Sequence, residues 1–176
     1  PPPFGAMTSQ QQMSSSANEH CFPFRGEQED DESQAEWLEL CQAVVHEARA
    51  KHYTCIGSDL ASLVHLERLD VSANEMDRFA PGAKADALQI LQCYSNRFVN
   101  LTSMPTFPSL RFLGLGFNEL GSLPLDLARR CPNLASLDVA FNHLGSLDEV
   151  VAVLRKCKGL KQIFLAGNPC SLLPNY

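Results

Sequence analysis

The chain lacks the features that would tie it to a membrane, a metal or a nucleic acid. None of its apolar runs approaches the roughly 18 residues of a membrane-spanning helix. Positive charge is in deficit: 14 Lys and Arg stand against 20 Asp and Glu, a formal net charge of -6. A general nucleic-acid binder shows the opposite balance. No basic start leads into an apolar h-region, so no secretory signal is expected. The cysteines, at positions 21, 41, 55, 93, 131, 157 and 170, include no Cys-x-x-Cys pair and no histidine at metal-ligand spacing. The expectation is seven reduced thiols, most of them buried as small hydrophobes, and no metal. Catalytic signals are equally scarce. His20, His46, His52, His65 and His143 do not gather with acids, and no nucleophile joins His65 and Asp70. There is no G-x-x-x-x-G-K phosphate loop, and Gly114 and Gly116 alternate with no helix opening after them. An enzyme is not expected, nor a cofactor, nor a small-molecule substrate.

What is present divides into three segments. Residues 1–50 hold nine of the acids and two of the bases, so the acidity belongs to the N-terminal part. Residues 1–32 open on three prolines, continue through Ser, Gln and Asn, and end in Glu27-Gln28-Glu29-Asp30-Asp31-Glu32. Few apolar groups offset the entropy of ordering there, which predicts a disordered acidic tail serving as a solvated linker. Residues 33–52 read as one capping helix. Ser33 and Glu36 have capping-box spacing, and Trp37, Leu40, Cys41, Val44, Val45 and Ala48 recur along one helical face. Residues 53–176 form the third segment.

In that segment one line recurs: L-x-x-L-x-L-x-x-N-x-L-x-x-L, with conservative swaps. It appears as Leu66, Leu69, Val71, Asn74, Met76 and Phe79, then as Leu88, Leu91, Cys93, Asn96, Phe98 and Leu101. Leu110, Leu113, Leu115, Asn118, Leu120 and Leu123 follow, then Leu134, Leu137, Val139, Asn142, Leu144 and Leu147. The fifth copy is Leu160, Ile163, Leu165, Asn168, Cys170 and Leu173. The asparagines are 22, 22, 24 and 26 residues apart, and Leu60 and Leu63 look like the tail of a partial copy. The L-x-L core predicts a short strand with one inward face. The asparagine amide both donates and accepts, so it can bridge backbone groups of neighbouring coils. Ser103-Met104-Pro105-Thr106-Phe107-Pro108 predicts an extended or turning return path. Ser146 and Glu149, followed by Val150, Val153, Leu154 and Cys157, predict a helical one that Gly159 ends.

These copies resemble the leucine-rich repeat family over residues 60–176, about two thirds of the chain. The 22-residue period is similar to the subclass typified by a phosphatase-regulating repeat protein, the spliceosomal A-prime protein and an axonemal dynein light chain. Gly167-Asn168-Pro169-Cys170 and Leu173-Pro174-Asn175-Tyr176 resemble the C-terminal cap of that subclass, with Cys170 where the family carries leucine. The resemblance implies an α/β solenoid of about five repeats: short parallel strands on a concave face, an N-terminal capping helix and a mixed turn and helix convex side. It also implies a non-catalytic protein–protein interaction module. The expected role is a structural adaptor in a large cytoskeletal assembly, the ciliary or flagellar axoneme in the cytoplasm. The alternative is a regulatory subunit of a phosphatase or an RNA-processing complex. Partners would be other proteins of that complex, with no direct nucleic acid and no membrane.

The expected binding surface is the outward face of the strands: Arg68 and Asp70, then Ile90, Gln92 and Tyr94, then Phe112, then Ser136 and Asp138, then Gln162 and Phe164. Ile90 and Phe112 are lateral neighbours, and Tyr94 borders a floor made shallow by Gly114, Gly116 and Ala140. An aromatic rim beside a shallow floor suits a partner helix or strand. The basic residues Arg129, Arg130, Arg155, Lys156, Lys158 and Lys161 fall near expected helix ends, where the helix dipole favours them. Cys131 and Cys157 share one slot and are read as stacked packing, and Asn100-Leu101-Thr102 is read as a chance glycosylation sequon.

Overall fold

The computed structural model of the chain describes residues 21–23, 36 and 39–172. Six strands make one parallel sheet in the order β2-β4-β6-β7-β8-β9. They are β2 Val45–Glu47, β4 Arg68–Asp70, β6 Ile90–Gln92, β7 Phe112–Gly114, β8 Ser136–Asp138 and β9 Gln162–Phe164. The central residue of each repeat strand points inward and faces its counterpart in the next coil, in the register Leu69, Leu91, Leu113, Leu137, Ile163. The four leucines are fully buried. Burying one such side chain contributes about 1.5–3 kcal/mol.

The return side is irregular, as the varying copy length requires. A second parallel sheet, β1 Cys21–Phe22, β3 Cys55–Ile56 and β5 Arg78–Phe79, covers the N-terminal coils. Residues 103–108 run without helix, and Phe107 turns in to meet Phe79 at a centroid distance of 6.0 Å. Among the described residues, the two longest copies carry α-helices on this side: α1 Leu127–Arg130 and α2 Leu147–Leu154. Ser146 Oγ caps α2 by accepting from Glu149 N at 3.3 Å, and Val150 and Val153 are buried beneath it.

The asparagine slot does what its chemistry allows. Asn118 Oδ1 accepts from Phe98 N of the previous coil at 3.1 Å, and its Nδ2 donates to Cys93 O at 3.0 Å and Leu115 O at 2.9 Å. Asn74, Asn96, Asn142 and Asn168 repeat the arrangement, all buried. The residue before each asparagine turns the chain through a left-handed conformation: Ala73, Ser95, Phe117, Phe141 and Gly167 all have φ between 52° and 73°.

Three expectations are corrected at the N-terminal end. The helix expected over 33–52 is helical at 36 and 39–42 but then gives way to β2, which pairs in parallel with β4. The exposed strand edge of β4 supplies the reason. Val44 O accepts from Glu67 N and Arg68 N, backbone donors that a continuing helix would leave unpaired. Residues 45–51 are therefore an additional, degenerate coil: Ala48 is buried in register with Val71, Ala50 has φ 51°, and Lys51 takes the asparagine slot. The repeat array starts before residue 53. Second, the tail expected over 1–32 is ordered at Cys21–Phe22, where both side chains are buried and β1 pairs with β3. Phe22 stacks on His46 at 5.1 Å. Third, the thiols are not all free. Cys21 and Cys55 are direct partners across β1 and β3 and form a disulfide, with Cα atoms 4.5 Å apart. Gly57 lets this segment close, since a Cβ there would lie 2.7 Å from Pro23 O. Cys41, Cys93, Cys131, Cys157 and Cys170 are free thiols. Trp37 and residues 173–176 of the expected cap lie outside the described residues.

Candidate protein-binding face

Strand register sorts the outward side chains into three rows. The first row runs Val45, Arg68, Ile90, Phe112, Ser136, Gln162, and the second runs Glu47, Asp70, Gln92, Gly114, Asp138, Phe164. The third, just past the strands, is Ser72, Tyr94, Gly116, Ala140 and Ala166, tied coil to coil by backbone hydrogen bonds. The structure thus places all ten expected contact residues on this side of the sheet. It does not leave all of them accessible.

Asp70 has no exposed surface. Its Oδ2 accepts from Arg49 Nε at 2.7 Å and from Arg49 Nη2, and its Oδ1 accepts from Ser72 N at 3.0 Å. Burial alone would raise its pKa, but the hydrogen bonds from Arg49 and Ser72 outweigh it and hold the carboxyl below its ordinary value. Asp70 is therefore a structural ion pair and offers nothing to a partner. Asp138 occupies the same row and repeats half of that job, accepting from Ala140 N at 3.0 Å.

The shallow floor expected beside Tyr94 is filled by Tyr94 itself. Its ring lies across the two glycines so closely that a Cβ on Gly114 would sit 2.6 Å from it, and one on Gly116 3.1 Å. Its hydroxyl donates to Asp138 Oδ2 at 3.1 Å, two coils away. Burial, and then the Asp138 charge, push the phenol pKa up. Ser136 Oγ is out of solvent contact and finds no hydrogen-bond partner among the described residues. What remains open is Arg68, whose guanidinium donates to Gln92 Oε1 at 3.3 Å, the half-buried pair Ile90 and Phe112, exposed Gln162, and Phe164, half exposed.

A second aromatic feature escaped the sequence reading. Phe117 and Phe141, in the left-handed slot before the asparagine, stack at 4.5 Å with planes 10° apart, and both rings are about half exposed. Phe141 continues over Gly167, where a Cβ would meet the ring at 2.4 Å. The signal was available: the slot reads Ala, Ser, Phe, Phe, Gly down the copies, and two large apolar residues at a position that carries backbone strain are conspicuous. Cys131 and Cys157, by contrast, are buried free thiols of adjacent coils, as their shared slot suggested. The Cys131 pKa is pushed up to about 12, by burial above all. Arg129 and Arg130 of the expected basic cluster both pair with Asp126.

Among the described residues no helix is long and apolar enough to cross a membrane. No family profile matches the chain. It is 35% identical over 132 residues to human leucine-rich repeat-containing protein 43, an alignment covering 72% of this chain and 20% of that protein. It is 30% identical over 95 residues to a probable U2 small nuclear ribonucleoprotein A' of Caenorhabditis elegans, covering 54% and 37% of the two chains. The chain therefore spans about a fifth of the first relative and little more than a third of the second. Among solved structures, a leucine-rich repeat protein of Leptospira interrogans superposes with a TM-score of 0.58 at 23% identity, over 66% of this chain and 29% of that one. Repeated sequence, stacked coils and relatives agree: the chain belongs to the leucine-rich repeat family.

Proposed function

We propose that the chain is a non-catalytic adaptor that docks other proteins on the outward face of its strands, within a large cytoskeletal assembly, the ciliary or flagellar axoneme. The observation that carries the docking role is the lateral pair Ile90 and Phe112 on adjacent rigid strands, with exposed Phe164 two strands further on. Stacked coils fix these side chains in place, so a partner orders little on this side when it binds. Support for the axoneme is the similarity of the 22-residue period to a subclass that includes an axonemal light chain. A second reading, a subunit of an RNA-processing complex, draws on the similarity to the probable U2 small nuclear ribonucleoprotein A'. Fractionating ciliated cells into axonemes and nuclei, with the protein followed by antibody, separates the two. Retention in detergent-extracted axonemes is expected. Recovery with nuclear ribonucleoprotein would favour the second reading.

A further inference from the structure

We propose that the edge on which the strands begin carries a further docking site, a recess between Arg111 and Lys161 that receives an acidic side chain of an extended partner peptide. The cavity, of about 470 Å³, is lined by Gln89, Arg111, Asn133, Ala135, Gly159 and Lys161 among others. Arg111, Ala135 and Lys161 occupy one slot in three successive coils: Ala135 N donates to Arg111 O at 2.9 Å, and Lys161 N donates to Ala135 O at 2.8 Å. Two steps of about 4.8 Å put the flanking residues roughly 10 Å apart. The middle residue is an alanine and the chain behind it passes through Gly159, so the space between the cations stays open. A carboxylate seated there lies within reach of both. Arginine offers it a planar, two-pronged fork and lysine a compact charge.

The charge pattern favours the same occupant. Arg49, Arg78, Arg97, Arg129 and Arg130 are each paired with an acid of this chain. Arg111 and Lys161 make no ion pair among the described residues, and no acid lines the cavity between them. Lys51, Arg68, Arg155, Lys156 and Lys158 likewise make no ion pair among the described residues, but Arg111 and Lys161 are the two that flank one recess, and this makes the site a localised one. No aromatic side chain among the lining residues is there to stack a base. A peptide carboxylate is the better match than nucleic acid. The site lies on the strand-start edge and does not rest on the docking role of the sheet face.

Fluorescence anisotropy with a labelled oligoglutamate peptide at physiological salt tests the site, with labelled oligouridine run in parallel. Saturable binding of the peptide is expected. Arg111→Ser with Lys161→Ser should weaken it by about tenfold or more. Ala135→Leu, which keeps both charges and fills the recess, should do the same. Arg155→Ser with Lys156→Ser removes equal charge just beyond α2 and should leave affinity within about twofold. Arg111 and Lys161 are exposed, so the charge variant retains the fold and decides the matter even if Ala135→Leu unfolds. Absence of saturable peptide binding, equal losses in the two charge variants, or tighter binding of oligouridine than of the peptide would overturn the proposal.

Discussion

Asn118 holds two coils with a single amide. Its oxygen serves the backbone of one turn and its nitrogen the backbone of two, all within the buried interior. Asn118→Ala strands those groups away from water, at about 1–3 kcal/mol for each one left unpaired. Chemical denaturation should show a loss of at least that size, and a neutral result would contradict the ladder. This role was legible in the sequence because the same residue type recurs at the same place in every copy. Asp70 was not legible in this way. Its partner Arg49 lies in a stretch whose spacing reads as helix, so nothing in the repeat announced an ion pair. Because the folded carboxyl titrates below its unfolded value, its contribution is complete above the ordinary value of 3.8 and is lost as pH falls through the lower folded one. Asp70→Asn should therefore destabilise at neutral pH and converge towards the parent in strong acid. Melting curves across that range check the convergence, and a constant difference would assign the loss to packing instead of charge.

Elements at the N-terminal end were decided by pairing, not by local pattern. The window Val45-His46-Glu47-Ala48-Arg49-Ala50-Lys51 puts histidine and alanine in leucine slots and lysine in the asparagine slot, so it does not read as a repeat. Leu40, Cys41, Val44, Val45 and Ala48 also happen to satisfy a helical period. The strand prevails because β4 presents an unpaired edge, and a parallel partner satisfies it. The same argument draws β1 onto β3 and brings Cys21 against Cys55, which are 34 residues apart and share no spacing motif. Closing a loop of that length stabilises by about 4 kcal/mol through the unfolded chain. Deleting residues 1–32 should accordingly lower the melting temperature, and Cys21→Ser should reproduce most of the drop. Thiol titration of protein denatured without reductant should find five reactive groups. Seven would mean that the compartment keeps the pair as a dithiol, leaving β1 held by its backbone bonds and by Phe22.

At the scale of the whole molecule, stability and recognition are carried by different residues. The inward leucines of successive coils stack along the solenoid, while the outward rows touch mainly their neighbours on the sheet, so surface changes leave the stacking terms intact. The sequence placed the outward rows correctly because strand alternation is a rigid rule. Which members stay free was hidden: Tyr94 reaches over two coils to Asp138, and no local pattern records a contact 44 residues long. Ile90, Phe112 and Phe164 remain on the sheet face, and Phe117 with Phe141 stands on the edge where the strands end. Phe112→Ser with Phe164→Ser should leave stability within about 1 kcal/mol, since neither side chain is part of the buried stack. Co-purification with the parent assembly should be lost. Phe117→Ser with Phe141→Ser is the matched variant, because it removes equal aromatic surface from the edge. If assembly survives the first change and fails with the second, partners grip the solenoid along its strand-end edge, and the outward rows serve only to close the sheet against water.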